Sequence, residues 1–236
     1  MAYYSSYPVS ANHTASTRSG PSYPGMNERP AVEVHADFYF KDLYLQVEQK
    51  LFKVLRRTFA NDSEVFGGMF LVPQGPNGEI EGSTAERPIL LEGVKVNDMV
   101  QLLRVLYPKN QGIDEELSSR QWAAVLRLAT KWCFMHARTV ALSKLSAMAD
   151  PIDKIVMYND PAYELDAEQW LLPAVRSFCQ RFDGLTVEEG TKLGMELTLR
   201  VCAIREKFAA QRAGCRVREH NELLDRIIKV VFELSE

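Results

Sequence analysis

Between Phe38 and Phe70 the hydrophobic period of the chain changes once, from two residues to that of a helix, and this limits the possible folds. The segment reads FYFKDLYLQVEQKLFKVLRRTFANDSEVFGGMF. In Leu43–Val47 the residues Leu43, Leu45 and Val47 share a face, as in a half-buried strand. Leu51–Leu55 repeats the pattern with Phe52 and Val54 on one face. The connection Glu48-Gln49-Lys50 holds neither Gly nor Asn, so a tight primed turn there is expected to be strained. Thr58–Asp62 and Ser63–Phe70 then read as two short helices. Ser63 or Asp62 caps the second, and Val65, Phe66, Met69 and Phe70 form its apolar stripe. No nucleophile, metal-ligand set or phosphate loop lies in this opening. It points towards a protein-binding surface rather than catalysis.

The chain continues with PQGPNGEIEGSTAER over Pro73–Arg87, which reads as a mobile acidic surface loop. Pro88–Leu91 is short, apolar and ended by Gly93, as a third, buried strand would be. Asn97 or Asp98 is expected to cap a helix with Val96, Met99, Val100, Leu103 and Leu106 inward, halted at Pro108. Everything after Gly112 reads as helical. Ser118 with Gln121 forms a capping box ahead of Trp122, Val125, Leu126, Ala129 and Trp132, which share a face, and Phe134–Met148 follows as that helix's partner. Asp150-Pro151, Asp166 with Gln169, and Thr186 with Glu189 open further helices. In Val217–Leu234 the stripe Leu224, Ile227, Ile228, Val231 and Leu234 covers too few heptads for a coiled coil, so this helix is expected to dock on its own domain. Residues Met1–Val34, rich in Ser, Tyr, Pro, Asn and Gly, read as a disordered tail.

Composition narrows the partners. A length of 236 residues allows one generous domain or two small ones. A net charge of −3 supplies no electrostatic reason to expect nucleic acid or an anionic membrane as partner. The four cysteines, Cys133, Cys179, Cys202 and Cys215, form no CxxC pair and all fall in segments that read as helical. That usage suits buried, reduced thiols in a cytoplasmic or nuclear protein better than disulfides or a zinc site. The first residues lack the apolar segment of a signal peptide, and no apolar run is long enough to span a bilayer. The expectation is a soluble intracellular protein.

The order of elements, together with the pattern FxFxDLxLxVExxLFKVxRxxFxxxSEVFxxMF, resembles the BTB (POZ) domain over about Phe38–Ala149. The group expanded in mushroom-forming fungi is most similar. Its hallmark blocks look like Ser63-Glu64-Val65-Phe66 with Met69-Phe70, Pro88-Ile89-Leu90-Leu91-Glu92-Gly93-Val94, Leu102-Leu103 with Leu106-Tyr107-Pro108, and Ala129-Thr130-Lys131-Trp132. Asp150-Pro151-Ile152-Asp153-Lys154-Ile155, Trp170-Leu171-Leu172-Pro173-Ala174 and Leu185-Thr186-Val187-Glu188-Glu189-Gly190 look like that group's helical extension. The resemblance implies an α+β fold, a small three-stranded sheet flanked by helices and followed by an all-helical C-terminal extension. The expected partition is a tail over 1–34, a BTB domain over 35–149 and the extension over 150–236. It further implies a protein–protein interaction module that homodimerises and acts as adaptor or scaffold, with substrate adaptor of a cullin-type ubiquitin ligase or transcriptional co-regulator as alternatives. Asp42 and Arg56 match the positions of a charged pocket in the family's dimer groove, and Phe52, Phe66, Met69, Leu103 and Trp132 are the expected core. The chain departs from the pattern in two places: Leu55 stands where a His is usual, and Gln49 replaces the hairpin glycine.

Competing chemistry is thinly supported. Cys133 and His136 could be imagined as a catalytic pair, but one helical turn separates them and no third orienting residue is suggested. Glu188-Glu189 is better explained by a helix N-terminus than by acid–base work. The basic residues Lys207, Arg212, Arg216 and Arg218 alternate with Glu206, Glu219 and Glu222, as on a solvated helix face. The reading is therefore a non-enzyme whose partners are itself and another protein, with no cofactor, metal, nucleic acid, membrane or small-molecule substrate.

Overall fold

The computed structural model describes residues 32–72, 81–109, 116–212 and 219–234. Most of the expected tail, residues 73–80 of the acidic loop, and Cys215, Arg216, Val217 and Arg218 lie outside the described residues. The described residues ahead of Phe40 form a unit of their own, a short turn in which the amides of Phe38 and Tyr39 donate to the His35 carbonyl. The described residues from Phe40 onward make one compact unit.

That unit begins with a hairpin of β1 (Asp42–Val47) and β2 (Lys50–Leu55), antiparallel from Asp42↔Leu55 to Val47↔Lys50. Leu43, Leu45 and Val47 are completely buried, as the alternation requires. The turn is shorter than expected, only Glu48 and Gln49, and Glu48 takes a positive φ of 51°. The chain accepts that strain without a glycine. Gln46 Nε2 donates to the Glu48 carbonyl, and the Glu48 carboxylate accepts from the amide of Val96. Asn97 and Asp98 therefore do not cap the next helix. That helix starts at Val96, and the acceptor for its first amide arrives from the hairpin instead. A two-residue β3 (Ile89–Leu90) pairs parallel with β1, giving the sheet order β2-β1-β3.

Helices α1 (Arg56–Asp62) and α2 (Glu64–Leu71) follow the hairpin, then α3 (Val96–Leu106), α4 (Ser119–Lys131) and α5 (Met135–Met148). The capping box of Ser118 and Gln121 opens α4 as expected. At its far end Cys133 has φ 53°, its amide donates to Thr130, and the Phe134 amide donates to Ala129. This is the hydrogen-bond pattern of a Schellman stop, with cysteine where glycine is usual. Cys133 is thus a turn residue rather than a helical one, and the missing glycine is why the sequence reads straight through it.

One hydroxyl joins two of these helix ends. Ser63 Oγ accepts from the Phe66 amide at the start of α2 and donates to the Trp132 carbonyl at the end of α4, at 2.5 Å. Both groups are among those a helix cannot satisfy within itself. Around this point Phe59, Phe66, Trp132 and Phe134 pack edge-to-face: Phe59–Phe66 centroids are 5.0 Å apart, Phe59–Phe134 5.4 Å and Phe66–Trp132 5.5 Å. Of the expected core, Phe66 and Trp132 are buried; Phe52, Met69 and Leu103 are half-buried and pack against the same cluster.

The extension comprises α6 (Pro151–Asn159), a 3-10 turn (Pro161–Tyr163), a π turn (Ala167–Leu171), α7 (Leu172–Gln180), α8 (Val187–Gln211) and α9 (His220–Val231). Asp150 caps α6 through the amides of Ile152 and Asp153. The π turn has a physical cause in Pro173. Its ring cannot sit against the carbonyl four residues back and it has no amide to donate, so the backbone widens and the Leu172 amide bonds to Ala167. Gly194, at φ 74° and ψ 170°, breaks α8 between Leu193 and Met195, a break the helical periodicity does not show. A second apolar cluster, containing Val175, Phe178, Val201, Ile204, Leu224 and Ile228, holds these helices together. Met157 and Trp170 of the extension enter the first cluster instead, and Arg138 of α5 donates to the carbonyls of Tyr163 and Glu164.

Two glycines of α2 should respond oppositely to the same change. A Cβ on Gly67 would stand 2.8 Å from the Ala60 carbonyl oxygen of α1, whereas one on Gly68 meets nothing within 4 Å. Urea denaturation of Gly67→Ala is expected to show a loss of roughly 1–3 kcal/mol, and of Gly68→Ala a gain of about 0.5–1 kcal/mol. Ser63→Ala, which strands the Trp132 carbonyl and the Phe66 amide together, is expected to cost about 1–3 kcal/mol in the same assay.

Candidate protein-interaction surfaces

The surface of the hairpin end is built outward from the aromatic cluster. Phe66 reaches Phe70 at 6.2 Å, and the guanidinium of Arg56 lies over the Phe70 ring, 3.7 Å from its centroid. A run of rings therefore links the core to a surface cation. Burial lowers the pKa of Arg56 from its ordinary value. The Arg56 amide donates to the Lys41 carbonyl, closing the open end of the hairpin. Tyr107 completes the junction: its hydroxyl accepts from the Leu55 amide and donates to the Leu55 carbonyl, where β2 becomes α1. Burial raises the Tyr107 pKa. Nothing in sequence periodicity singles out Tyr107, because its role comes from a contact 52 residues away.

Within one chain, the two residues expected to share a charged pocket have separate partners. Asp42 pairs with Lys53 at 2.8 Å, across the hairpin on its outer face, and raises the Lys53 pKa by hydrogen bonding and charge. Both side chains are well exposed, so the pair contributes little to stability. Arg56 is held by stacking. On the same outer face Leu51 and Leu90 flank Gln46 in one cross-strand row, each about half exposed. Phe40, Val65, Leu71 and Val72, before and along the α1–α2 pair, are exposed as well. Cys133 is half-buried and His136 exposed.

Residues 35–148 match the family model of the BTB/POZ domain. This part of the chain is a BTB domain. Such domains are in general non-catalytic interaction modules that commonly self-associate and bind other proteins. The small sheet flanked by helices and the helical region after it follow the architecture expected from the resemblance. Among curated proteins, none matches the chain. No helix among the described residues is long and apolar enough to cross a membrane.

Beyond the BTB domain, the loop between α7 and α8 is unusually well tied. Arg181 chelates Glu189 with two bonds of 2.6 and 2.7 Å and also donates to the carbonyls of Asp183 and Gly184. Arg205 donates to the carbonyls of Arg181, Phe182 and Asp183. Both guanidinium groups lie over Phe178, at 4.5 and 5.6 Å from its centroid. Glu189 closes a capping box with Thr186 as well. Its first-turn position is the one expected, while the Arg181 partner comes from tertiary packing. Hydrogen bonds from Arg181 and then from the Thr186 backbone hold its pKa down at about 2. Burial pushes the nearby Cys179 thiol up to about 11.

A depressed carboxylate stabilises the fold above its unfolded pKa and loses that contribution as acid protonates it. For Glu189 the window runs from its ordinary value of 4.5 down to about 2. Glu189→Gln is expected to cost on the order of 1 kcal/mol at neutral pH after screening. In an acid titration of stability, the gap between variant and native protein should close across that window.

Proposed function

We propose that this chain works as a homodimeric adaptor or scaffold that pairs through its BTB domain and offers its helical extension to another protein. The partition that goes with this reading is a BTB domain over 35–149 and an extension over 150–236, following a polar tail. The observation that carries it is the exposed apolar set Phe40, Val65, Leu71 and Val72, beside an arginine seated on Phe70. Leu71 is 85% exposed, and large apolar side chains at that exposure gain most when a second protein covers them. In the pair, Arg56 and Asp42 would line the groove, where a guanidinium already stripped of part of its water forms strong bonds to a partner's polar groups.

Size-exclusion chromatography with light scattering tests the pairing. The native chain is expected at twice its own mass across micromolar concentrations. Val65→Asp combined with Arg56→Glu should shift it to the single-chain mass at the low end of that range, with secondary structure retained. A native chain that stays monomeric throughout that range would overturn the proposal.

A further inference from the structure

Among the described residues of the extension Phe182 is the most exposed large apolar side chain, at 97%, and its loop is held by several arginine hydrogen bonds. The backbone of Arg181, Phe182 and Asp183 is fixed by Arg205 through three carbonyl acceptors, and Arg181 ties the following residues. A loop immobilised in advance loses little entropy on binding, so a ring presented this way is prepared as an anchor. Its flanking residue Asp183 is exposed and acidic, as is Glu188 at the start of α8.

Elsewhere in the extension, α8 and α9 border a shallow, open slot of about 350 Å³. Leu223 and Ile227 form its apolar floor and Val230, 72% exposed, one wall; Lys207, Gln211 and Arg226 make a polar, cationic rim. Phe182 does not occupy this slot in its own chain, being almost wholly in solvent. The chemistry of the two nevertheless matches: an aromatic knob with carboxylates beside it, and an apolar slot edged by an ammonium and a guanidinium. Among the described residues, Asp183, Lys207 and Arg226 take part in no ion pair within the chain.

We propose that the extension carries a self-association site of its own, in which Phe182 and Asp183 of one copy seat in the α8–α9 slot of a second copy. Knob and slot are different patches on one chain, so two copies can exchange knobs about a two-fold axis or link head to tail. Each seated ring buries roughly 150–250 Å². That falls well short of the area of a stable standard interface, so the contact is weak and concentration-dependent. It gains strength when a second interface already holds copies together. The site goes beyond pairing through the BTB domain and does not require it.

Sedimentation velocity of the full chain over a hundredfold concentration range tests the site, both in the native protein and in the Val65→Asp, Arg56→Glu background. The native chain is expected to show a concentration-dependent step, and that step should persist as monomer to dimer when the BTB face is disabled. Phe182→Asp alone, and Lys207→Glu with Arg226→Glu in a second variant, should each weaken the step by roughly tenfold or more. Melting temperatures should be unchanged, because all three side chains are exposed. Mixing the two defective variants should recover association above that of either variant alone, since one native knob and one native slot then meet; a head-to-tail pair regains its single contact and a two-fold pair one of its two. A native chain that shows only the extension step, identical to that of the Val65→Asp, Arg56→Glu background, would count against the previous section's reading alone. A step insensitive to Phe182→Asp, or a mixture that fails to complement, would overturn the present one.

Discussion

The hydroxyl of Ser63 is the contact on which the arrangement of the BTB domain turns. It is 1% exposed, and it satisfies the first turn of α2 and the carbonyl of Trp132, which caps the end of α4, at once. Neither group could be left unbonded at that depth without a cost comparable to a large share of a domain's net stability. Because one atom meets both needs, the separation of the two helix ends is set to hydrogen-bond length. The four rings around it then have one way to interlock. The close approach of Gly67 to the backbone of Ala60 belongs to the same constraint, since it lets α2 lie tightly on α1.

From that fixed point, order is passed to the surface. Phe66 touches Phe70, and Phe70 carries Arg56, so the cation expected to meet a partner rests on a ring already positioned by the core. The extension uses arginine in a related way. Arg181 and Arg205 flank Phe178 and spend their donors on backbone carbonyls of the α7–α8 loop, while Arg138 ties α5 to the Tyr163–Glu164 turn. A guanidinium has several donors in a rigid plane, and this suits it to organising irregular backbone that no helix or strand can pair. Arg56 and the α7–α8 loop are therefore held in place before binding, which lowers the entropy lost on association.

The extension is joined to the BTB domain by more than a linker. Met157 and Trp170 are buried in the cluster that contains the sheet, although they follow the BTB match in sequence. The helices after Asp150 thus build two cores, one of their own and one borrowed. This packing ties the position of α6 to the BTB domain.

Much of this was legible in the residues alone. The alternation in Leu43–Val47, the capping boxes at Ser118 and Thr186, and the Asp150-Pro151 start are local signals, and each element stands where its signal places it. Local patterns carry that information because strand pleat and helix capping depend on neighbours a few residues apart. Other features came only with tertiary structure. Glu48 replaces the cap expected from Asn97 or Asp98, Cys133 ends α4 without a glycine, and Gly194 divides α8. Asp42 turns to Lys53 while Arg56 turns to a ring. In each case the deciding partner or backbone angle is supplied by packing between segments distant in the chain. Periodicity specifies which face of an element is apolar, but it holds no record of what will be set against that face.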